Sequence, residues 1–430
     1  MDMDIIELNK DINIDGLHWI YRWRINNGKK GAYVIPFTTT YPINIIYYGE
    51  DQFKYGQYGI HLGQQDTLTF LGDENHKILA KFIDCRKGSP TFKSMLTFYI
   101  TPSSAKTLII PPGVAHTFHH LENIFTLNSY TLFLPSIDKL AQETLAWSPD
   151  NDVINIPEHI DIDEIEGVEP MTEEASDFVY HRIAEIQHEN IKKHLFVHAE
   201  TRKMVLDDGK EINIKIREKI GETAVMPLPQ SAILGVEFRE LPSLKTGKLS
   251  GIVPLTKQSP MYLVEHGNEN YDFDSYGIHL GQEDHLTFLG HSSSLITLKL
   301  VDMREGSETV FLEDEITFSP AANVELVIPC GVAHALFNLK NITTVNRPVI
   351  YLDDNKEYIP GHDVIDWPIN NRNYQSFKVN TREADLAYYQ HLALKQQEMI
   401  KEAPTHNTPK SIIIFDENNN PIKVLIKEKV

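Results

Sequence analysis

Residues 58–72 read YGIHLGQQDTLTFLG, and residues 276–290 read YGIHLGQEDHLTFLG. Thirteen of these fifteen positions are identical, at a constant offset of 218. The offset holds outward in both directions. Pro36 and Pro42 fall on Pro254 and Pro260, Asp84 and Arg86 on Asp302 and Arg304, and Pro111–His116 on Pro329–His334. Beyond the core it slips to about 210, where Asn151–Pro157 matches His362–Pro368 and the tail LDDGKEINIKIREK matches FDENNNPIKVLIKEK. A period this long means a duplicated domain rather than a solenoid. The division predicts one copy over 1–220 and a second over 221–430.

Within each copy the apolar period is two. Thr67–Leu71, Leu96–Ile100, Thr107–Ile110 and 124–134 are short β-rich runs bounded by Gly, Pro, Asn and Ser. Many such strands without interleaved helices predict a mainly β fold of two tandem jelly-roll barrels. Helices are expected only near 173–194 and 381–402, with Leu386, Tyr389, Leu392 and Leu394 as a rough apolar stripe. A β-hairpin is expected in each tail, where turn residues separate alternating apolar positions. The acidic run Asp161–Glu166 reads as a solvated connector.

Composition narrows the functional classes. The 430 residues carry 40 Lys and Arg against 60 Asp and Glu, a formal charge of −20 that disfavours nucleic acid as a partner. No apolar run reaches the ~18 residues of a membrane span, and the acidic start is not that of a signal peptide. Cys85 and Cys330 build neither a disulfide framework nor a thiolate cluster, and the expected setting is the cytoplasm.

Of nineteen histidines, two positions recur in both copies: His61 with His279, and His116 with His334. Read as a strand, Gly59-Ile60-His61-Leu62-Gly63 places the imidazole between two residues without side chains, so close approach of another group is expected there. His116 and His334 close Pro-x-Gly-x-x-His, a turn in which Pro sets φ and Gly takes positive φ. His76, His119, His120, His285 and His291 lack counterparts and read as surface positions. Arg86 and Arg304 each follow an aspartate two residues earlier, which fits either an ion pair or a site for phosphate or carboxylate.

Pro-x-Gly-x-x-His is the second motif of cupin barrels. A metal-binding cupin carries two histidines and a glutamate in its first motif, where this chain shows one histidine, so no metal is expected on ligand count. Gly-Ile-His, Asp84–Phe92, Ile110–Phe118 and Asp363–Pro368, in that order, resemble the dTDP-4-dehydrorhamnose 3,5-epimerase family. The resemblance implies a cofactor-free epimerisation of a 4-keto sugar nucleotide: a base on one face of the sugar, an acid on the other, and donors for the enolate oxygen. The family's base maps onto His61 and His279. Its acid, a tyrosine, maps onto Tyr351 in the second copy and Phe133 in the first, so the second copy is the better candidate for activity. A carboxylate near the start of the C-terminal helix would orient the base, among Glu174, Asp177, Glu383 and Asp385. The family's diphosphate arginine is replaced by Tyr58 and Tyr276, and its lysine region reads Gln64-Gln65-Asp66 and Gln282-Glu283-Asp284. Substrate contacts are therefore expected from Arg86, Arg304, His116, His334, Tyr58 and Tyr276. The competing readings are a sugar-binding double barrel without turnover and a metal-dependent cupin. Fusion of two copies further implies a dimer-like pair of barrels within one chain, with association of whole chains left open.

Overall fold

A computed structural model describes residues 14–21, 25–26, 33–37, 43–134, 153–176, 180, 197–205, 211–219, 228–241, 243–245, 251–255, 261–353, 364–385, 387–389, 391–392, 394–395 and 411–425. The chain folds as two jelly-roll barrels, each of two facing antiparallel sheets. In the first barrel one sheet runs His18–Tyr21, Lys106–Ile110, Gln64–Leu71, Phe125–Asn128, Ile43–Tyr47. The other runs Val153–Pro157, Gln57–His61, Val114–His119, Ile78–Asp84, Met95–Ile100. Alternation sends Leu68 and Phe70 from the first sheet, and Phe82, Val114 and Phe118 from the second, into one buried core. Leu286, Phe288, Leu300, Val332 and Leu336 repeat this in the second barrel.

The two barrels exchange strands. Tyr33–Phe37 does not pair with Ile43–Tyr47, the strand that follows it. It pairs with Met261–Glu265 in the second barrel, Pro36 opposite Tyr262. Reciprocally, Gly251–Leu255 pairs with Ile43–Tyr47, Pro254 opposite Asn44. The register repeats at the same offset of 218, so the exchange has pseudo-twofold symmetry. Among the described residues only Ile25–Asn26 flanks the outer side of Tyr33–Phe37, opposite Val34 and Tyr33, which leaves Pro36 without a ladder partner there. Between the barrels the outer sheet faces meet in a further apolar cluster. Ile45 and Leu263, Leu71 and Leu289, and Leu127 and Val345 contribute as symmetry-like pairs, all fully or nearly buried.

The tails behave differently. Val197–Val205 and Glu211–Lys219 form one hairpin, Ser411–Asp416 and Pro421–Leu425 the other. The second docks on the first barrel, Phe415 opposite Tyr99, and puts Ile414 and Val424 into that barrel's core. Of the expected helices, the starts are corrected: Glu173–Glu174 and Arg382–Glu383 are short strands, paired with Thr131–Leu134 and Val349–Leu352. Helical turns follow at 387–389, 391–392 and 394–395, with Tyr389 and Leu392 packed on Ile350 while Leu394 is exposed. Leu386 and most of 173–194 and 396–402 lie outside the described residues. The acidic run holds a 3-10 turn at Ile162–Glu164 capped by Asp161, and its Ile165 is buried. Among the described residues no helix is long and apolar enough to cross a membrane.

Candidate active site

The strand Gln57–His61 ends at His61, and after two residues, Leu62 and Gly63, the chain resumes as Gln64–Leu71 in the facing sheet. Gly63 therefore sits at a corner rather than in a strand, its carbonyl accepting the N–H of Phe133 at 2.7 Å. This change of sheet brings His61 and Asp66 face to face across the barrel mouth. His116, third in the strand Val114–His119, is paired with Gly59 and so shares the inward face with His61. The two imidazoles stack at 5.9 Å and 25°.

Asp66 lies between them. Its Oδ2 is 3.3 Å from His116 Nε2 and 3.7 Å from His61 Nε2. Its Oδ1 accepts from Gln64 Nε2 at 2.6 Å and from Asn128 Nδ2 at 2.8 Å. Burial by itself would raise this carboxyl, but the two imidazoles and the two amides outweigh it and hold it below the ordinary value. For His116 the balance is reversed: burial pushes it down, against the pull of Asp66. The second barrel repeats the cluster. His334 and His279 stand 3.3 and 3.7 Å from Asp284, and their rings stack at 5.9 Å and 22°.

Tautomers follow from the acceptors. His116 Nδ1 lies 3.2 Å from Val114 O, and His334 Nδ1 3.2 Å from Val332 O. A carbonyl can only accept, so each Nδ1 carries the hydrogen. Each Nε2 then faces the Asp66 or Asp284 carboxylate at 3.3 Å. His279 Nε2 lies 3.4 Å from Gln282 Nε2 as well as 3.7 Å from Asp284 Oδ2.

The turns that aim His116 and His334 form as expected. Val114 N–H bonds to Pro111 O and Val332 N–H to Pro329 O, with Gly113 and Gly331 at φ +80° and +79°. Their N–H groups hold the carbonyls of His61 and His279 at 2.7 Å, tying turn to histidine strand.

Other expected site residues lie elsewhere. Tyr58 and Tyr276 are nearly fully buried on the opposite face of the histidine strand, in clusters with Ile60, Ile83 and Ala115 and with Ile278, Val301 and Ala333. They do not share the face of His61 and His279. Arg86 donates from Nε and NH2 to the fully buried Asp84 at 2.8 Å each and from NH2 to Asp15 O at 2.6 Å. Arg304 does the same to Asp302 and Leu234 O. The ion-pair reading of these arginines thus matches their geometry. Glu174, Glu383 and Asp385 are exposed, and Asp177 lies outside the described residues. The carboxylate at each histidine pair is Asp66 or Asp284, which sequence reasoning had placed only in the region of a missing lysine. Tyr351 is half-buried beside Glu283 and Glu383, and its phenol is pushed up to about 12, burial being the largest cause. His285, read as a surface position, is buried, 2.9 Å from Glu283 and 2.8 Å from Arg239.

The three donor atoms of each cluster lie within 4.8 Å of one another. Two imidazoles and a carboxylate could hold a divalent ion, so the ligand count that argued against a metal was one donor short.

Residues 59–153 match the family described as dTDP-4-dehydrorhamnose 3,5-epimerase. Over this stretch the chain is similar to that epimerase family. The matched stretch runs from Gly59 to Val153 and contains His61, Asp66 and His116. Among solved structures, a dTDP sugar isomerase from Desulfovibrio desulfuricans G20 aligns at 13% identity over 36% of this chain and 92% of its own, with a TM-score of 0.25. A mutant of the 3,4-ketoisomerase QdtA from Thermoanaerobacterium thermosaccharolyticum, in complex with TDP-4-keto-6-deoxyglucose, aligns at 14% over 31% and 88%, TM-score 0.22. A dTDP-4-dehydrorhamnose 3,5-epimerase from Sulfolobus tokodaii aligns at 20% over 27% and 78%, TM-score 0.17. A search of curated proteins finds no match.

Proposed function

We propose that the protein is an isomerase of 4-keto sugar nucleotides, working without a cofactor by removing a proton from carbon beside the carbonyl. One observation carries the reading: each barrel mouth sets an imidazole, His61 or His279, against a buried carboxylate. An ionised carboxylate there stabilises the imidazolium formed when the base takes its proton. Protonation of the opposite face would fall to Tyr351, whose raised phenol keeps its hydrogen at neutral pH. Phe133 offers none, so by this route the second barrel is the more active.

Deuterium wash-in tests the reading. A 4-keto nucleotide sugar incubated with the protein in D2O gains deuterium at carbons flanking the ketone, and a non-catalytic sugar binder leaves them unlabelled. The double variant His61→Ala with His279→Ala is expected to lower exchange by roughly 10²–10⁴, the usual worth of a positioned base. Unchanged exchange rejects the assignment. The triple-donor cluster favours one other reading, metal-dependent cupin chemistry, which stoichiometric transition metal in the purified protein would support.

A further inference from the structure

The two barrels differ at one sheet edge. In the first, Met95–Ile100 pairs with Ile78–Asp84 on one side and with the hairpin 411–425 on the other. In the second, the equivalent strand Glu313–Phe318 pairs with Ile296–Asp302 and, among the described residues, with no strand on its other side. The core behind each strand records the difference. Phe98 and Ile100 are 0% and 1% exposed beside the docked hairpin, and their counterparts Ile316 and Phe318 are 7% and 8% exposed. An unpaired row of N–H and C=O groups beside a thinly covered core is a template for one more strand.

The hairpin 197–219 fits that edge. At an offset of 210 it matches 411–425 pair for pair: Met204 lies opposite Ile212 as Ile414 does opposite Ile422, and Arg202 opposite Ile214 as Ile412 does opposite Val424. Met204, Ile212 and Ile214 therefore hold the places of Ile414, Ile422 and Val424, the residues that the docked hairpin packs on the first core. The contact residues change in step. Lys77 Nζ lies 4.5 Å from the centre of the Phe415 ring and donates to Asn419 Oδ1. The counterpart of Lys77 is Leu295, which is 58% exposed, and the counterpart of Phe415 is Val205. A cation over an aromatic ring is thus exchanged for an aliphatic pair. In the structure, Val197–Val205 and Glu211–Lys219 form a two-stranded sheet of their own.

We propose that the edge of Glu313–Phe318 is the docking site of the hairpin 197–219 of the same chain, which closes the second barrel as 411–425 closes the first. This docking is independent of the reaction assigned to the barrel mouths. The register carried over from Phe415 opposite Tyr99 sets Val205 opposite Thr317. Chain length selects the occupant. Ser231, twelve residues beyond Lys219, donates to Asp314 of the edge strand at 2.7 Å. Such a stretch spans up to about 40 Å when extended. A tether of that length gives an effective concentration on the order of millimolar, against which a second copy of the chain competes poorly.

Cysteine pairs in the full chain test the docking. Phe415→Cys with Tyr99→Cys, opposite each other in the structure, is the reference. Val205→Cys with Thr317→Cys should close a disulfide within one chain to an extent within about twofold of the reference, read by non-reducing gel and peptide mass spectrometry. No bond where the reference forms overturns the docking. A bond joining two chains gives the edge to a second copy and overturns it as well. Hydrogen exchange on the unaltered protein decides even if a variant fails to fold. Docking predicts that amides of 313–318 are protected to within about tenfold of those in their inner neighbour, Ile296–Asp302. Weaker protection than that means an open edge and overturns the proposal.

Discussion

Asp84 and Asp302 show how much one buried carboxylate can organise. Each is fully buried and accepts from an arginine, a serine and a threonine: Arg86, Ser89 and Thr91 in one barrel, Arg304, Ser307 and Thr309 in the other. Burial opposes ionisation, but these donors outweigh it and hold each carboxyl at about 2. Since the folded value lies below the unfolded ~3.9, the stabilisation is present in full above about pH 4 and fades as pH falls towards 2. A melting series should therefore show a steep acid limb in that window, shallower in Asp84→Asn with Asp302→Asn, which are also less stable at neutral pH. Arg86→Ala strands the buried carboxylate and is expected to cost about 3 kcal/mol by denaturant titration. A loss below ~1 kcal/mol would return Arg86 to the pool of possible substrate ligands.

At the scale of elements, the proline turn and the two-residue corner position the chemistry. Gly113 has no room for a side chain: at φ +80° a Cβ would meet Arg86 Cγ at 2.5 Å and Pro170 Cγ at 2.7 Å. Left-handed strain and overpacking together set the cost of Gly113→Ala at about 2–4 kcal/mol. Gly306 shares the positive φ but faces open space, so Gly306→Ala should cost about 1 kcal/mol. Equal losses in the two melts would mean that the clash is relieved by movement. The turn was legible because Pro and Gly announce their own φ. The corner was not. His61 and Asp66 are five residues apart, an odd spacing that an unbroken strand would send to opposite faces. The change of sheet at Leu62-Gly63 reverses that parity, and periodicity within one strand carries no sign of it. Asp66 also resembles any polar position of a strand until its neighbours Gln64 and Asn128 are seen to close over it.

Over the whole molecule, the repeat made two barrels legible and left their entanglement hidden. Tyr33–Phe37 and Gly251–Leu255 carry equivalent positions, including Pro36 and Pro254, so own-barrel and cross-barrel pairing satisfy the same pattern. The structure makes each barrel incomplete without the other. Residues 1–220 expressed alone should therefore dimerise, rebuilding the exchange between identical copies at about the mass of one full chain. Fragments 1–220 and 221–430 should co-purify when expressed together. A stable monomeric fragment by sedimentation would exclude obligatory exchange. The exchange also bears on how the protein comes into being. The first barrel needs Gly251–Leu255 and the hairpin 411–425, so it cannot close while its own half leaves the ribosome. It waits on the order of tens of seconds for residues 411–425, with an open sheet edge exposed to chaperones and neighbours.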